Sequence, residues 1–285
     1  MNISSEHKDY LKNKHKGGVS NQKGNNYESI YATKEIVRLF TTDADINTTL
    51  VGSQLKDAFV DDFYVSVGSN SSTYYQLKNK EYLSWGVMKP KNLKYDFVWQ
   101  KYYSQQEKEN FTLKLVYSNE NCPIGKTSIP DELKDVTIIE YFPDYQGLEV
   151  FLQECSAVRD NLNTIMNFPE KGLSLDVMSG CLELIRSQWL ELSQPNKLVS
   201  LAQIKDAYDR KHPGCPNFKT SSDVQLSLSV MEFLHTYPDF LYSIKGGNMY
   251  WKYKRMEGVI PVADLEHNLA TQTPESIIEL ITLLN

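Results

Sequence analysis

The sequence has only four cysteines, and none stands near another: Cys122, Cys155, Cys181 and Cys215 lie 33, 26 and 34 residues apart. Without a C-x-x-C pair, neither a zinc knuckle nor a disulfide framework is suggested, and the four read as reduced core thiols. Long apolar runs are missing too. The opening MNISSEHKDYLKNKHKGG carries charge where a signal peptide needs an apolar stretch, so the expectation is a soluble, cytoplasmic protein with no membrane association. Nor is there an excess of positive charge. The net charge is −6; residues 1–155 hold 18 Lys and Arg against 21 Asp and Glu, and the remainder 12 against 15. A protein that grips nucleic acid by bulk charge is usually basic, because phosphate neutralisation supplies most non-specific affinity. Any such contact here must rest on local patches.

Several catalytic signatures are absent. No G-x-S-x-G occurs, and the five histidines, His7, His15, His212, His235 and His267, form neither H-E-x-x-H nor a usual zinc spacing. His212 and Cys215 in HPGC read as a turn. IGKTS (124–128) ends like a phosphate-binding loop, but the leading glycine would fall at Glu120 and Pro130 stops any helix that should follow.

What is present is 285 residues with 41% hydrophobic content, enough for one large or two modest cores. The N-terminal arm carries Lys8, Lys12, Lys14, Lys16 and Lys23, read either as a basic patch or as a solvated tail. After the turn-rich GGVSNQKGNN (17–26), helical spacing covers Tyr27–Phe40. Strand-like pieces follow around Thr48–Val51, at Asp62–Val67 and at Thr73–Lys78, the last two joined by GSNSS as a hairpin. A helix with Leu93, Phe97 and Trp99 precedes strands at Phe111–Tyr117 and Val136–Tyr141. This order predicts an α/β domain, residues 1–147, with a mixed β-sheet flanked by helices. Residues 148–285 read as mostly helical: Leu148–Met166, Leu173–Leu192, a helix capped by Ser200, another at 221–237, then a hairpin (240–255) turning at Gly246-Gly247-Asn248. Three helices and a hairpin predict a winged-helix-like interaction domain. TPESIIELITLLN (273–285) reads as a short amphipathic helix that covers a core or docks a partner.

One strand is unusual. In STYYQLKN (72–79), alternation puts Tyr74, Gln76 and Lys78 on one face. A buried face does not hold an amide and an ammonium without partners. Asp61 and Asp62, just ahead of the first hairpin strand, can meet them at one end of the sheet. A carboxylate, an amide oxygen and a lysine suit a magnesium or manganese site completed by substrate phosphate oxygens, with the lysine orienting water and stabilising developing charge.

These residues resemble a known family. A helix with an acid, then Asp, then an (E/Q)-x-K strand resembles the PD-(D/E)xK restriction-endonuclease superfamily in its Gln-x-Lys variant. GGVSNQKGNNYESIYA, VDDFYVSVG, YYQLKN and YLSW…LKYDFVWQKY resemble more narrowly the Cap4-type double-stranded-DNA nuclease domain of bacterial anti-phage defence systems, over roughly residues 17–145. The resemblance implies Glu28 as the helix carboxylate, Asp62 as main metal ligand with Asp61 as fallback, Gln76 as second ligand and Lys78 as catalytic lysine. Gln76 departs from the commoner acid and would be a weaker ligand. The resemblance also implies pairing with a sensor protein, either a cyclic-nucleotide sensor or an SMC-like ATPase.

The helix read at Asp223–Tyr237 contains no Lys or Arg, which argues against base readout by it. Phosphate contacts are instead expected from Lys14, Lys16, Lys23 and Lys80, and from Lys252, Lys254 and Arg255 in the wing. The expected function is a metal-dependent endonuclease acting on double-stranded DNA as a homo-oligomer held by a sensor. The alternative is a non-catalytic DNA-binding or adaptor protein on a decayed nuclease scaffold.

Overall fold

The computed structural model describes residues 4–21, 26–68, 71–125, 129–167, 174–212, 215–219, 226, 228–234, 236–237, 239–245, 248–272, 274 and 276–284; the side chains of 16–21, 228, 229, 232, 243, 245, 266 and 270 lie outside the description. The chain forms two compact units, Met1–Arg159 with Leu175–Lys211, and Asp160–Ser174 with His212–Asn285.

The first unit is built on a six-stranded mixed sheet: β1 (Thr49–Gly52), β2 (Phe63–Val67), β3 (Ser71–Lys78), β4 (Asn110–Tyr117), β5 (Thr137–Tyr141) and β6 (Val199–Ser200), in the order β5-β4-β3-β2-β1-β6. The hairpin of β2 and β3 is antiparallel, as are β1 with β2 and β1 with β6, whereas β3, β4 and β5 run parallel. Gly68, at φ +62°, opens the hairpin turn in the left-handed region that glycine tolerates. The helices are α1 (Ser5–Asn21), α2 (Asn26–Leu39), α3 (Leu93–Gln106), α4 (Leu148–Glu154), α5 (Ser156–Ile165, which runs across the unit boundary), α6 (Leu175–Leu192) and α7 (Leu201–Lys211).

β3 is third from one edge, so both its faces are covered, and Tyr74, Tyr75, Gln76 and Leu77 are all buried. One face, with Tyr64, Tyr74, Leu113 and Leu115, packs on Leu93 and Phe97 of α3. On the other face Tyr75 meets Tyr31 of α2, and Phe63 meets Trp189 of α6 edge-on at 5.7 Å. That second face carries an ionic network around the buried Glu35. Glu35 pairs with Lys34 at 3.2 Å and with Arg38 at 3.0 Å and accepts from the Tyr75 hydroxyl at 3.3 Å. Glu140 pairs with Lys34 at 2.6 Å and Lys114 at 3.1 Å and accepts from Tyr31 at 2.9 Å.

The basic arm is not a free tail. It forms α1, whose Leu11 is buried with Phe59, Tyr95 and Tyr103 while Tyr10 and Trp99 pack around them. Helix continues through Gly17 and Gly18, where turn chemistry was expected, and residues 22–25 lie outside the described set.

The expected division at residue 147 is corrected as well. α6, β6 and α7 belong to the first unit: β6 adds to the sheet edge beside β1, and α6 packs on α2, α4 and α7. Ser200 caps α7 as expected, through a reciprocal pair in which the Gln203 N–H donates to Ser200 Oγ at 3.1 Å and the Ser200 N–H to Gln203 Oε1 at 2.9 Å. Two of the three helices counted toward a winged helix are therefore part of the sheet unit.

The second unit has α8 (Leu228–Leu234), a three-stranded antiparallel sheet of β7 (Phe240–Lys245), β8 (Asn248–Tyr253) and β9 (Met256–Pro261), then α9 (Val262–Thr271) and α10 (Ile277–Leu284). Strand β9 and helix α9 were not foreseen. Gly246 and Gly247 of the expected turn lie outside the described residues. The terminal helix covers the core: Leu280, Ile281 and Leu284 are buried with Phe240, Met249 and Trp251.

Candidate functional site

Asp62 immediately precedes β2. Continuing the register in which Phe63 faces Tyr75 sets it opposite Gln76. One of its oxygens, Oδ2, gathers three donors: Gln76 Nε2, the Leu77 N–H at 2.8 Å and Lys78 Nζ at 3.0 Å. Gln76 is 2% exposed, so the amide that the sequence puts on an apolar face is held by a partner and not by water.

Asp61 is buried beside it. Its Oδ1 stands 3.2 Å from Lys14 Nζ and meets no other donor among the described residues. Lys14 reaches in from α1 and also contacts Asp96 Oδ2 at 3.2 Å, Gln76 Oε1 at 3.4 Å and the Phe59 carbonyl. Asp96, on the inward face of α3, takes a hydrogen bond from Tyr10 at 2.6 Å through its other oxygen. Gln100, one turn further on, accepts from the Phe59 N–H at 2.8 Å and the Val60 N–H at 3.3 Å, which fixes the segment leading to the two aspartates.

The two adjacent carboxylates are driven apart. Burial would raise Asp62, but Lys78 first, then Lys14 and the Leu77 N–H, outweigh it and hold this carboxyl below its ordinary range. Asp61 is pushed up to about 6 by burial, with the Asp62 charge adding and Lys14 opposing. The first deprotonation belongs to the pair; the charge it leaves sits mainly on Asp62, and the remaining proton is held by Asp61. Burial would lower Lys14, yet Asp61, Asp96 and Asp62 together raise it, so it stays an ammonium.

Glu28 is half-buried in the first turn of α2. That end of α2 lies where β3 and β5 finish: the Tyr27 hydroxyl donates to the Phe142 carbonyl at 3.1 Å, and Lys78 is level with Tyr117 and Tyr141. Glu28 thus lies toward the sheet end that bears Asp62, Gln76 and Lys78, but on the α2 side of the sheet, whereas those three are on the α3 side. Lys80 is exposed just past β3.

The other cations assigned to DNA fall differently. Lys14 faces inward among carboxylates and not outward on an arm, because α1 docks on α3 through its apolar residues. Lys16 is in α1 with its side chain outside the description, and Lys23 is not described. Lys252, Lys254 and Arg255 are exposed on the second unit, the latter two at the β8–β9 turn.

Sequence reasoning missed Lys14, Asp96 and Gln100 as parts of this cluster. A signal existed on α3: Asp96, Gln100 and Tyr103, at i, i+4 and i+7, form a polar stripe beside the buried Leu93 and Phe97.

Among the described residues no group of three or more His, Cys, Asp or Glu that could hold a metal ion is found. The donors gathered here are fewer carboxylates with an amide and a carbonyl. Such hard oxygens fit magnesium, which keeps several waters and takes phosphate oxygens. Among the described residues no helix is long and apolar enough to cross a membrane. No family model matches the chain, and neither a curated protein nor a solved structure matches it.

Proposed function

We propose that the first unit is a metal-dependent DNA endonuclease of the restriction-endonuclease-like kind, with Asp62, Gln76 and Lys78 as its working residues and Glu28 at the same sheet end. The observation that carries this reading is the convergence of Gln76, the Leu77 N–H and Lys78 on a single oxygen of a buried carboxylate, at the end of a central strand. A purely structural role would be met more cheaply by apolar residues on that face. Bound magnesium or manganese would polarise the phosphodiester and make a nucleophile of its water. Asp62, charged and held by the Leu77 N–H, would be its main protein ligand, with Gln76 Oε1 and Asp61 beside it. Lys78 is 26% exposed, so its ammonium reaches solvent, where it would meet the scissile phosphate and counter the charge that builds on it.

Duplex cleavage needs two such sites, since one site cuts one strand. The net charge of −6 disfavours unassisted capture of DNA. We read the chain as the effector of a bacterial defence assembly, with copies of itself gathered by a sensor partner so that their basic patches add. The exposed Lys252, Lys254 and Arg255 are the second unit's contribution to such a patch.

The test is cleavage of plasmid DNA at high protein concentration with Mg²⁺ or Mn²⁺. EDTA should silence it, and Lys78→Ala and Asp62→Ala should each lower the rate at least about a hundredfold with the circular dichroism spectrum kept. Undiminished cutting by Lys78→Ala removes this site from consideration and leaves the non-catalytic scaffold as the better reading.

A further inference from the structure

Four oxygens surround the Lys14 ammonium: Asp61 Oδ1 and Asp96 Oδ2 at 3.2 Å, Gln76 Oε1 at 3.4 Å, and the Phe59 carbonyl. They come from the segment before β2, from β3 and from α3, and the cation at their centre is delivered by α1, 62 residues from Gln76 and 82 from Asp96 in sequence. Two observations set this apart from an ordinary buried ion pair. Asp61 is 2% exposed, and among the described residues its Oδ1 meets only the Lys14 ammonium, at 3.2 Å, so this buried oxygen depends on that single cation. The donors, two carboxylates, an amide and a carbonyl, are also the hard-oxygen set that a divalent cation takes and that a single ammonium, with three N–H groups, cannot fully bond.

We propose that Lys14 is a built-in stand-in for the divalent cation, and that the ion held by Asp62 competes with the α1 lysine for the Asp61 and Gln76 oxygens beside it, with Asp96 as a further ligand. The inference rests on the nuclease reading and deepens it by supplying a regulatory step. With α1 docked, its ammonium neutralises the carboxylates and keeps the site closed. Loading the ion requires Lys14 to withdraw and α1 to loosen around it. The hold is divided suitably for this: Leu11 anchors the first half of the helix among aromatic rings, and Tyr10 links it to Asp96. Thermodynamic linkage then makes the coupling mutual: whatever pulls α1 away, a partner or DNA, tightens the metal, and metal loosens α1.

The full chain tests this with Mn²⁺ as probe, by paramagnetic resonance of the free ion and by hydrogen exchange. Lys14→Met should bind Mn²⁺ about tenfold or more tighter than the unaltered protein, and Asp96→Asn about tenfold weaker. In the unaltered protein, saturating Mn²⁺ should speed amide exchange over Tyr10–Lys14 about tenfold, while potassium at equal ionic strength should not. Equal or weaker binding by Lys14→Met overturns the proposal. So does Mn²⁺ binding that leaves α1 exchange unchanged, which would reduce the lysine to a neighbouring charge. The exchange measurement needs no variant, so a misfolded Lys14→Met leaves the decision intact. The nuclease reading stands or falls separately, on cleavage by Lys78→Ala.

Discussion

Two ionic clusters flank the same sheet, and their charge balance differs. On the α2 face, two carboxylates, Glu35 and Glu140, are met by three cations, Lys34, Arg38 and Lys114, and by two tyrosine hydroxyls. On the α3 face, three carboxylates, Asp61, Asp62 and Asp96, share two ammoniums, Lys14 and Lys78. In the first cluster every carboxylate oxygen has a donor at hydrogen-bond distance; in the second, among the described residues, Asp61 Oδ1 has only the Lys14 ammonium that it shares with Asp96. Burial makes uncompensated charge expensive, so a cluster left short of positive charge in the folded chain is one suited to receive it from outside. Both clusters look alike as lists of charged residues. The count of partners distinguishes a network that secures the fold from one suited to chemistry.

That contrast can be broken by mutation. The largest effect is expected at Glu35: replacing it with alanine takes the carboxylate from Arg38 and from the Tyr75 hydroxyl and leaves Lys34 to Glu140 alone, and should cost about 2 kcal/mol in urea unfolding, with any nuclease activity of the folded fraction unchanged. Asp96→Asn, in the cluster with surplus negative charge, should cost under about 1 kcal/mol, because removing one of three carboxylates relieves repulsion while the amide oxygen still accepts from Tyr10. A loss at Asp96 equal to that at Glu35 would mean that the two clusters are equivalent.

A smaller effect separates them by pH. Burial would raise Glu140, but Lys34 and then Lys114 outweigh it and hold it below the ordinary glutamate range. A carboxyl whose folded value is depressed contributes stability that is present above its unfolded value and is lost as pH falls through the folded one. Glu140→Gln should therefore cost about 1.5 kcal/mol at pH 7 and progressively less as pH falls through the depressed folded value. Asp61 has the opposite sign. Raised to about 6, it favours the folded state in acid, and that contribution fades as pH rises through the same value. Asp61→Asn should accordingly flatten the stability profile between about pH 4 and pH 6, read by thermal unfolding at half-unit steps. A profile that the substitution leaves unaltered would show that Asp61 titrates alike in the folded and unfolded chain, and one altered in the sense expected at Glu140 would show it to be as fully compensated.

The sequence alone determined the hairpin and what it carries. Asp62, Gln76 and Lys78 lie within a single two-stranded unit, so strand alternation and a short turn suffice to set them side by side. The same local rules placed α2, α3, β4, β5 and the Ser200 cap, and they marked the polar pair on an otherwise apolar strand as something to be explained. Only the tertiary structure decided the rest. Whether β3 was an edge strand with a wet face or a central one depended on β4 pairing beside it through a 14-residue helix. The lysines of the arm read either as a basic patch or as a solvated tail until α1 docked by its apolar residues and carried Lys14 to Asp61 and Asp96. α6 and α7 look like any amphipathic helices, and nothing within them shows that β6 would join the sheet and take them into the first unit. Periodicity within one element fixes which residues share a face. Which face meets which is fixed by burial between distant segments, and that is where the third carboxylate, its lysine and the unit boundary came from.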